Sequence, residues 1–443
     1  MSLSVPALLF AMGISILSAI TIGLVSVFQS SRLNLNDVLK NPQNVGTTDR
    51  HSNRIRQTLV VGQIALALVL LTGAGLIVKS FWRLQGVDPG LKTDHLVTAG
   101  LSLSFADYPN GDPRRTQLYR QALEKLSALP GVASVGAISY LPLGGRTMQL
   151  PFTIAAQSTA AKADERVADY RVITPSFFQT TGVELLKGRI FNESDRTGTP
   201  TVFIVNEAFV RTYLPGVDPI GVRLDGESQL VKGVIVGVVA SIKHRGLELD
   251  AQPALYVSYL QSSTFPIMNF VVKTQTDPPS LIGPVRRELE SLEKRGVVFN
   301  VRAFDEFVAD AVAPRRFNLW LFAAFGFLAV LIAAAGIYAT INFAVVQRTR
   351  EIGIRVALGA QKSAVMKLIL GEAAVLICAG LIIGVGASFA LSQWIKSLLF
   401  DVSATDPLTY LTVLFSVITV AVYASWLPAR RATEVDPITT LRG

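Results

Sequence analysis

The sequence predicts an α-helical membrane protein with five transmembrane helices and an α+β extracytoplasmic domain inserted between helices two and three. Three observations lead to this fold class: an apolar composition, five long runs almost without charge, and a mixed helix and strand pattern between two of these runs. Of the 443 residues, 50% are hydrophobic and 16% are charged, whereas soluble domains carry roughly 25% charged residues. So low a charge content is typical of membrane proteins.

Five apolar runs supply the predicted spans. Each can provide the roughly 20 apolar residues that cross a bilayer core. Core helices of a soluble protein are the alternative, but such helices seldom run this long without a charge. A signal peptide is the alternative for the first run, which lacks a basic n-region and exceeds the usual length of an h-region. The runs are 1–31, 57–78, 317–347, 368–395 with Glu372 inside it, and 407–429.

Basic residues predict the orientation, because short loops rich in Lys and Arg stay in the cytoplasm. They concentrate in the linkers 32–56 and 348–367 and in the tail after residue 429. This distribution predicts an external N-terminus and a cytoplasmic C-terminus, with the large domain on the outer side of the membrane. Much of the net charge of +9 then comes from basic residues that set the membrane orientation. We therefore predict no nucleic-acid partner.

The segment 79–316 is long enough for one or two folded domains. Its two ends each read as a β-α-β unit: strand 95–104, a helix from Pro113 and strand 132–140, and later strand 267–274, a helix and strand 297–302. The apolar positions of the two helices have the same spacing, which predicts two related halves packed into one layer. They are Leu118, Ala122, Leu126 and Leu129 in the first helix, and Leu281, Val285, Leu289 and Leu292 in the second.

A strand-rich insertion, at about 165–260, is predicted to separate these two halves. Turns that contain Pro and Gly punctuate it. Its predicted elements are strands at 167–174, 201–205, 231–240 and 254–258 and a short helix at Glu207–Tyr213.

Catalytic motifs are missing from the sequence. It contains no GxxxxGK[ST], GxSxG or HExxH pattern. Cys378 is the single cysteine and the three histidines are far apart, so we predict no disulfide, no metal site, no cofactor and no catalytic residue. Paired carboxylates could be imagined from Asp195, Glu207 and Asp218, but we interpret these as solvated or capping side chains. If the chain moves a substrate, the energy would have to come from outside it.

The cytoplasmic segment 347–360 is the predicted site of energy input. As a helix it places Arg348, Glu351 and Arg355 on one face, while Ile354 and Leu358 project from another. A short amphipathic helix can dock in a groove on a partner. A membrane-surface helix or a solvated linker is the alternative that these residues alone leave open.

Two motifs resemble those of a known family. Segment 347–360, QRTREIGIRVALGA, resembles the signature after the first transmembrane helix of FtsX-type permease domains, and segment 427–442 resembles the signature after the last one. The external domain resembles the MacB-like periplasmic core in the stretches 174–182, 186–191, 205–209, 218–221 and 234–237.

The resemblance implies a permease of the MacB/FtsX/LolE superfamily, in which a separate cytoplasmic ATPase dimer drives a piston-like motion of the periplasmic domain. It implies an ATPase-coupling helix made by Arg348, Glu351, Ile352, Ile354, Arg355, Leu358 and Gly359. It also implies a cytoplasmic tail signature made by Pro428, Arg430, Arg431, Asp436, Pro437 and Leu441.

The first span departs from this family pattern of four spans. Residues 33–40 align without gaps on 435–442, and the chain thus resembles the C-terminal half of an acidobacterial duplicated orphan permease. Truncation of a longer protein and retention of an anchor helix are both compatible with this resemblance. The predicted order is a remnant of a preceding FtsX-like domain (1–31), a cytoplasmic linker (32–56), a span (57–78), a MacB-like core (79–316) and an FtsX-like permease domain with three spans (317–443).

Small residues predict one helix seam in the membrane. Gly380 and Gly384 form a GxxxG pair in the fourth span, and close approach of backbones drives association in lipid. A lipid-facing position is the alternative. Glu372 is interpreted as a side chain that snorkels or pairs with Lys367, not as part of a pathway.

These features predict the permease subunit of an ABC-type transporter for efflux or envelope export. The alternative function is a non-transporting signal transducer of FtsX type that acts on a periplasmic partner. The expected partners are an ABC ATPase subunit, membrane lipid, a second permease copy or half, and a periplasmic or outer-membrane protein.

Overall fold

The computed structural model describes residues 12–13, 45–155, 166–226, 228–262, 265–348, 351–352, 354–355, 358, 361–396 and 399–433. Two compact units divide these residues. The helical unit contains the described residues up to Thr72, Phe325–Ser392 and those from Pro407 onward, whereas the α+β unit contains Gly73–Ala324 and Gln393–Asp406.

In chain order, the helices are α1 (Val45–Gln85), α2 (Pro113–Ser127), α3 (Phe177–Thr181), α4 (Glu207–Tyr213), α5 (Pro278–Leu292), α6 (Phe304–Gln347), α7 (Lys362–Ser392) and α8 (Pro407–Ala432). The strands are β1 (Leu96–Ser102), β2 (Val132–Ile138), β3 (Gln149–Ile154), β4 (Arg166–Ile173), β5 (Leu185–Gly188), β6 (Val202–Asn206), β7 (Arg223–Asp225), β8 (Gly233–Val239), β9 (Ala254–Ser258), β10 (Ile267–Thr274) and β11 (Val297–Ala303).

Four described helices are long and apolar enough to cross a membrane. They correspond to the predicted second to fifth spans. The first predicted span, 1–31, lies outside the described residues except for Met12 and Gly13. The four helical segments are Arg54–Gln85, Arg316–Gln347, Lys362–Ser392 and Pro407–Ala432.

The spans of the helical unit bury one stripe and expose another that is equally apolar. In α7 the buried residues recur every three or four positions, for example Ile369, Ala373 and Ile377, which is the spacing of one helix face. The opposite face exposes Ile382 and Phe389. Large exposed apolar faces suit contact with lipid.

The two ends of the α+β unit interlock as a ferredoxin-like layer. The sheet order is β11-β1-β10-β2, and every pairing is antiparallel. Each β-α-β unit therefore has a strand of the other unit between its own two strands, which is the split β-α-β arrangement. The helix positions predicted to face the core are buried at Leu118, Ala122 and Leu126 in α2 and at Leu281, Val285 and Leu289 in α5.

Two details of this layer differ from the prediction. The stretch 95–104 reads as alternating, yet Leu96–Leu101 are all buried, because β1 lies between β10 and β11 and has core on both faces. Leu129 lies beyond the end of α2 at Ser127, where the chain has already turned toward β2.

The strand-rich part closes on itself. Strands β4, β3, β7, β8, β6 and β9 pair in that order, and β9 pairs again with β4. The ring pairs with the ferredoxin-like layer at Ile138 and Ile173, and the two parts share one hydrophobic core. Strand β3 of the ring begins at Gln149, so the strand-rich part starts before the predicted boundary at 165. The short strands β3, β5 and β7 were not predicted.

A buried ion cluster lies where the ring meets β2. Asp169 and Arg171, both on β4, have no exposed side-chain surface. The Asp169 carboxylate accepts from Arg245 Nη2 at 2.9 Å and lies 3.4 Å from Arg171 Nη2. Arg171 Nη1 donates to the main-chain oxygen of Tyr140 at 3.1 Å. Loss of one member would leave an uncompensated charge in the core, which typically costs several kcal/mol.

His244 is buried beside this cluster. Its Nε2 lies 2.9 Å from Tyr256 Oη. Burial, and to a smaller extent the Arg171 guanidinium, lowers the pKa of His244 well below its ordinary value. The imidazole is therefore neutral in the folded protein at neutral pH.

This buried histidine predicts acid sensitivity. Because its pKa is lower in the folded state, the unfolded chain binds the proton first as the pH falls through about 6.5, so stability present above that pH is lost below it. Between pH 7.5 and 5.5 we expect the melting temperature of the detergent-solubilised wild-type chain to fall more than that of His244→Gln. The exposed His95→Gln variant should keep the wild-type slope. Parallel wild-type and His244→Gln curves would contradict this account.

Candidate functional site

The described residues of the predicted coupling segment make helix-type backbone hydrogen bonds after α6 ends at Gln347. The Arg348 N–H donates to the carbonyl oxygens of Ala344 and Val345 at 3.3 and 3.1 Å. The Ile352 N–H then donates to Arg348 O at 2.8 Å, and the Leu358 N–H to Ile354 O at 3.0 Å. The bonds that span four residues are α-helical, whereas the one from Arg348 to Val345 spans three. Gly359 lies outside the described residues.

Ile352 lies on the inner side of this segment. Its side chain is 3% exposed and belongs to the hydrophobic core of the helical unit. A small cavity there is lined jointly by Ile352, Val345 of α6 and Ile369 of α7. Burial of one isoleucine side chain contributes about 1.5–3 kcal/mol, so Ile352 fixes the segment to its two neighbouring helices.

The outer side of the segment combines charge with exposed apolar surface. Arg355 Nη2 lies 2.5 Å from Glu351 Oε1, and both side chains are half exposed. Such a surface pair contributes only about 0.3–0.5 kcal/mol. Ile354 is 44% exposed and Leu358 is 83% exposed. An exposed leucine beside a charged pair is a surface that a partner groove can cover.

A second ion pair ties the segment to α7. Arg348 Nη1 lies 2.5 Å from Glu372 Oε1. The interpretation that Glu372 pairs with Lys367 is wrong, because residues five apart on a helix point about 140° away from each other at 3.6 residues per turn. Arg348 thereby joins the end of α6 to the first part of α7.

The described part of the tail signature lies at the end of α8. Pro428 is buried, whereas Arg430 and Arg431 are exposed. Arg431 Nη1 donates to Tyr338 Oη of α6 at 2.8 Å, and the Arg430 guanidinium lies 5.5 Å from the Trp426 ring centre. The remaining predicted tail residues, Asp436, Pro437 and Leu441, lie outside the described residues.

The two glycines of the GxxxG pair face α1. A Cβ atom on Gly380 would lie 2.8 Å from Ile64 Cβ, and one on Gly384 would lie 3.0 Å from Ala65 Cα. Neither distance leaves room for a side chain. The backbones of α7 and α1 therefore approach closely along these positions.

The acidic residues considered for acid–base chemistry have separate basic partners or helix-end positions. Asp195 receives a two-pronged contact from Arg189 at 2.7 and 2.8 Å, and this guanidinium holds the pKa of Asp195 below its usual value. Asp218 pairs with Lys187 at 2.9 Å, and Glu207 lies in the first turn of α4. Across the described part of the chain, no group of three His, Cys, Asp or Glu residues is arranged to hold a metal ion.

The glycine contact predicts a sharp difference between positions of one helix. Gly380→Val or Gly384→Val should separate α7 from α1 and destabilise the protein by about 1–3 kcal/mol, as overpacking does. A Cβ atom added at Gly371 or Gly386 would have open space for 4 Å around it, so Gly371→Val and Gly386→Val are matched controls. The measurement is thermal unfolding of the purified chain in one detergent. Equal melting temperatures for all four variants would contradict the packing.

Two families match this chain. The family described as MacB-like periplasmic core domain matches residues 7–292, and that described as FtsX-like permease C-terminal matches residues 323–437. The first match begins inside the first predicted span.

Three relatives illustrate the similarity. The uncharacterized ABC transporter permease YknZ of Bacillus subtilis is 22% identical over 339 residues, 73% of this chain and 84% of the relative. Macrolide export ATP-binding/permease protein MacB 2 of Aeromonas hydrophila is 25% identical over 276 residues, 60% of this chain and 42% of the relative. The probable syringafactin export ATP-binding/permease protein SyfD of Pseudomonas syringae pv. tomato is 25% identical over 289 residues, 61% of this chain and 41% of the relative.

The chain thus spans about two fifths of the length of the two ATP-binding/permease relatives. The crystal structure of the periplasmic region of MacB from Actinobacillus actinomycetemcomitans aligns with 51% of this chain and 95% of its own, at 16% identity and a TM-score of 0.33. Because the first family match covers more than half of the sequence, the chain belongs to the MacB-like, FtsX-containing family of ABC transporter permeases.

Proposed function

We propose that this chain is the permease subunit of an exporter in which a separate cytoplasmic ABC ATPase drives motion of the extracytoplasmic domain. The observation that carries the proposal is the outer surface of the segment after α6, where Leu358 is 83% exposed beside Ile354 and the Glu351–Arg355 pair. Together, Ile354 and Leu358 offer apolar surface beside charge, which a groove on a partner can cover.

The inner surface of the same segment supplies a route for force. Ile352 packs between α6 and α7, and Arg348 pairs with Glu372. A push on Leu358 would therefore displace both helices together. α6 follows β11 in the chain without an intervening loop, since Ala303 ends the strand and Phe304 begins the helix. The displacement of α6 would then reach the sheet of the α+β unit directly.

The names of the relatives favour export over signal relay as the function of this chain. Two of them are named for export, of macrolides and of syringafactin. We extend the class of activity to this chain, with the α+β unit on the periplasmic side of a bacterial inner membrane. A second permease copy or half, membrane lipid and a periplasmic or outer-membrane protein complete the proposed assembly, and ATP hydrolysis belongs to the ATPase subunit.

The coupling assignment predicts loss of ATPase binding in two variants. Leu358→Asp and Arg355→Asp should abolish co-purification of ATPase activity with the tagged chain from membranes of cells that produce both proteins, because each change alters the exposed docking surface. Leu249 is 45% exposed in the α+β unit, so Leu249→Asp is a matched control that should retain the activity. Wild-type levels of ATPase activity with Leu358→Asp would refute the assignment.

The proposed topology predicts opposite chemical access for two positions. In a Cys378→Ser background, which removes the single native thiol, Leu249→Cys and Leu358→Cys each introduce one exposed thiol. A membrane-impermeant maleimide should label the thiol at position 249 in intact spheroplasts, and the thiol at position 358 only after lysis. Labelling of both positions before lysis would overturn the proposed sidedness.

A further inference from the structure

A cavity of about 100 Å³ opens in the α+β unit, apart from the coupling segment. It lies where the chain leaving β2 meets β10, β11 and the first turn of α6. By volume it can hold a group of about the size of an amino-acid side chain, since a 150 Å³ cavity holds benzene. Its lining consists of Ser139, Tyr140, Leu141, Gly144, Arg146, Ile267, Asn269, Phe299, Asn300 and Phe307.

The apolar part of the cavity is built by aromatic rings. The Phe299 ring lies across β1, and a Cβ atom at Gly100 would collide with its Cζ. A glycine at this position of β1 is therefore required for the ring to lie there. Phe307 contributes from α6, and Leu141 from the loop after β2. These three side chains offer an apolar lining for one alkyl or aryl group.

A buried acceptor faces this apolar lining. Asn269 is 6% exposed. Its Nδ2 donates to Ser139 O at 2.8 Å and to Ile138 O at 3.4 Å. Because both partners are carbonyl oxygens, the amide nitrogen faces them and Oδ1 points the other way. No donor from the described residues reaches Asn269 Oδ1, so this oxygen remains available for an N–H or O–H of a ligand.

A cation lies at the mouth of the cavity. Arg146 is exposed, and its guanidinium forms no ion pair or hydrogen bond within the part of the chain that the structure describes. A guanidinium in this position is suited to a two-pronged contact with a carboxylate. Arg146 and Asn269 thus present a cation and a hydrogen-bond acceptor at the same cavity.

Backbone strain marks the same place. Asn300 lines the cavity with φ of 50°, and Leu143, next to the lining residue Gly144, has φ of 64°. Leucine rarely adopts this left-handed conformation. Strained residues of this kind are concentrated at ligand-binding and active sites, where surrounding packing holds them.

We propose that this cavity binds an apolar amino-acid unit that carries a free carboxylate and an acylated nitrogen, as the C-terminus of a peptide does. The carboxylate pairs with Arg146, the amide N–H donates to Asn269 Oδ1, and the apolar side chain occupies the space beside Phe299 and Phe307. This inference goes beyond the proposed function, which assigns no ligand to the α+β unit, and it does not depend on ATPase coupling.

The test uses the full chain in lipid nanodiscs and N-acetyl-leucine as the probe, with binding followed by saturation-transfer NMR. We expect saturable binding that Arg146→Gln weakens roughly tenfold or more, the usual effect of losing a charge-assisted contact. Arg196→Gln, at another exposed arginine of the same unit, should bind as the wild type does. N-acetyl-leucinamide, which lacks the carboxylate, should bind weakly and be unaffected by Arg146→Gln.

Three results would overturn the proposal. The first is that the wild type shows no saturable binding of N-acetyl-leucine. The second is that Arg146→Gln binds N-acetyl-leucine as tightly as the wild type does, or that the wild type binds N-acetyl-leucinamide as tightly as N-acetyl-leucine. The third is displacement of N-acetyl-leucine by dihexanoyl phosphatidylglycerol at lower concentration than the probe itself, which would make a lipid headgroup the occupant. None of these measurements involves an ATPase. A negative result would therefore not contradict the coupling assignment, which the co-purification experiment tests separately.

Discussion

The close contact between α7 and α1 is the constraint on which the helical unit depends. In lipid, apolar side chains gain little by leaving their surroundings, so helices associate where their backbones can approach. Gly380 and Gly384 provide that approach against Ile64 and Ala65. With α7 fixed in this way, the Glu372 carboxylate is held where Arg348 can reach it. The proposed coupling segment thus obtains a defined position from the packing of α7 against α1.

Exposure of an apolar side chain indicates different things in the α+β unit and in the helical unit. In the α+β unit an exposed leucine stands out, since solvent-facing positions are mostly polar. In α7 and α8 exposed apolar residues are common, and the buried stripe contains both large and small side chains. Leu358 falls between these cases, because it follows an apolar span but lies in a segment rich in charge. The exposure of Leu358 therefore favours a docking surface for a protein partner, whereas the exposure of Ile382 is what contact with lipid requires.

The sequence predicted the elements that repeat a strong pattern. Charge-free runs located α1, α6, α7 and α8, and apolar spacing located α2 and α5 with their core residues. The strands β3 and β7 escaped prediction because one contains Pro151 and the other has three residues. The interlocking of the two β-α-β units could not be predicted, since it depends on strand pairing across the intervening ring. The Asn269 cavity was also beyond prediction, because its lining comes from four separate elements. For the proposed coupling segment, the sequence predicted neither the burial of Ile352 nor the contact of Glu372 with Arg348.

The closed ring of strands has its entry and exit side by side. Ile138, at the end of β2, pairs with Ile173, and Ile173 in turn lies opposite Ser258 at the end of β9. The last ring strand thus ends about two strand spacings, or about 10 Å, from Ile138, and the chain re-enters the ferredoxin-like layer in β10, where Asn269 pairs with Ile138. A polypeptide excursion with such closely spaced ends can be enlarged, trimmed or replaced by another without disturbing the sheet that carries it. The ring is accordingly the part of the α+β unit in which an insertion leaves the two attachment points nearly where they are.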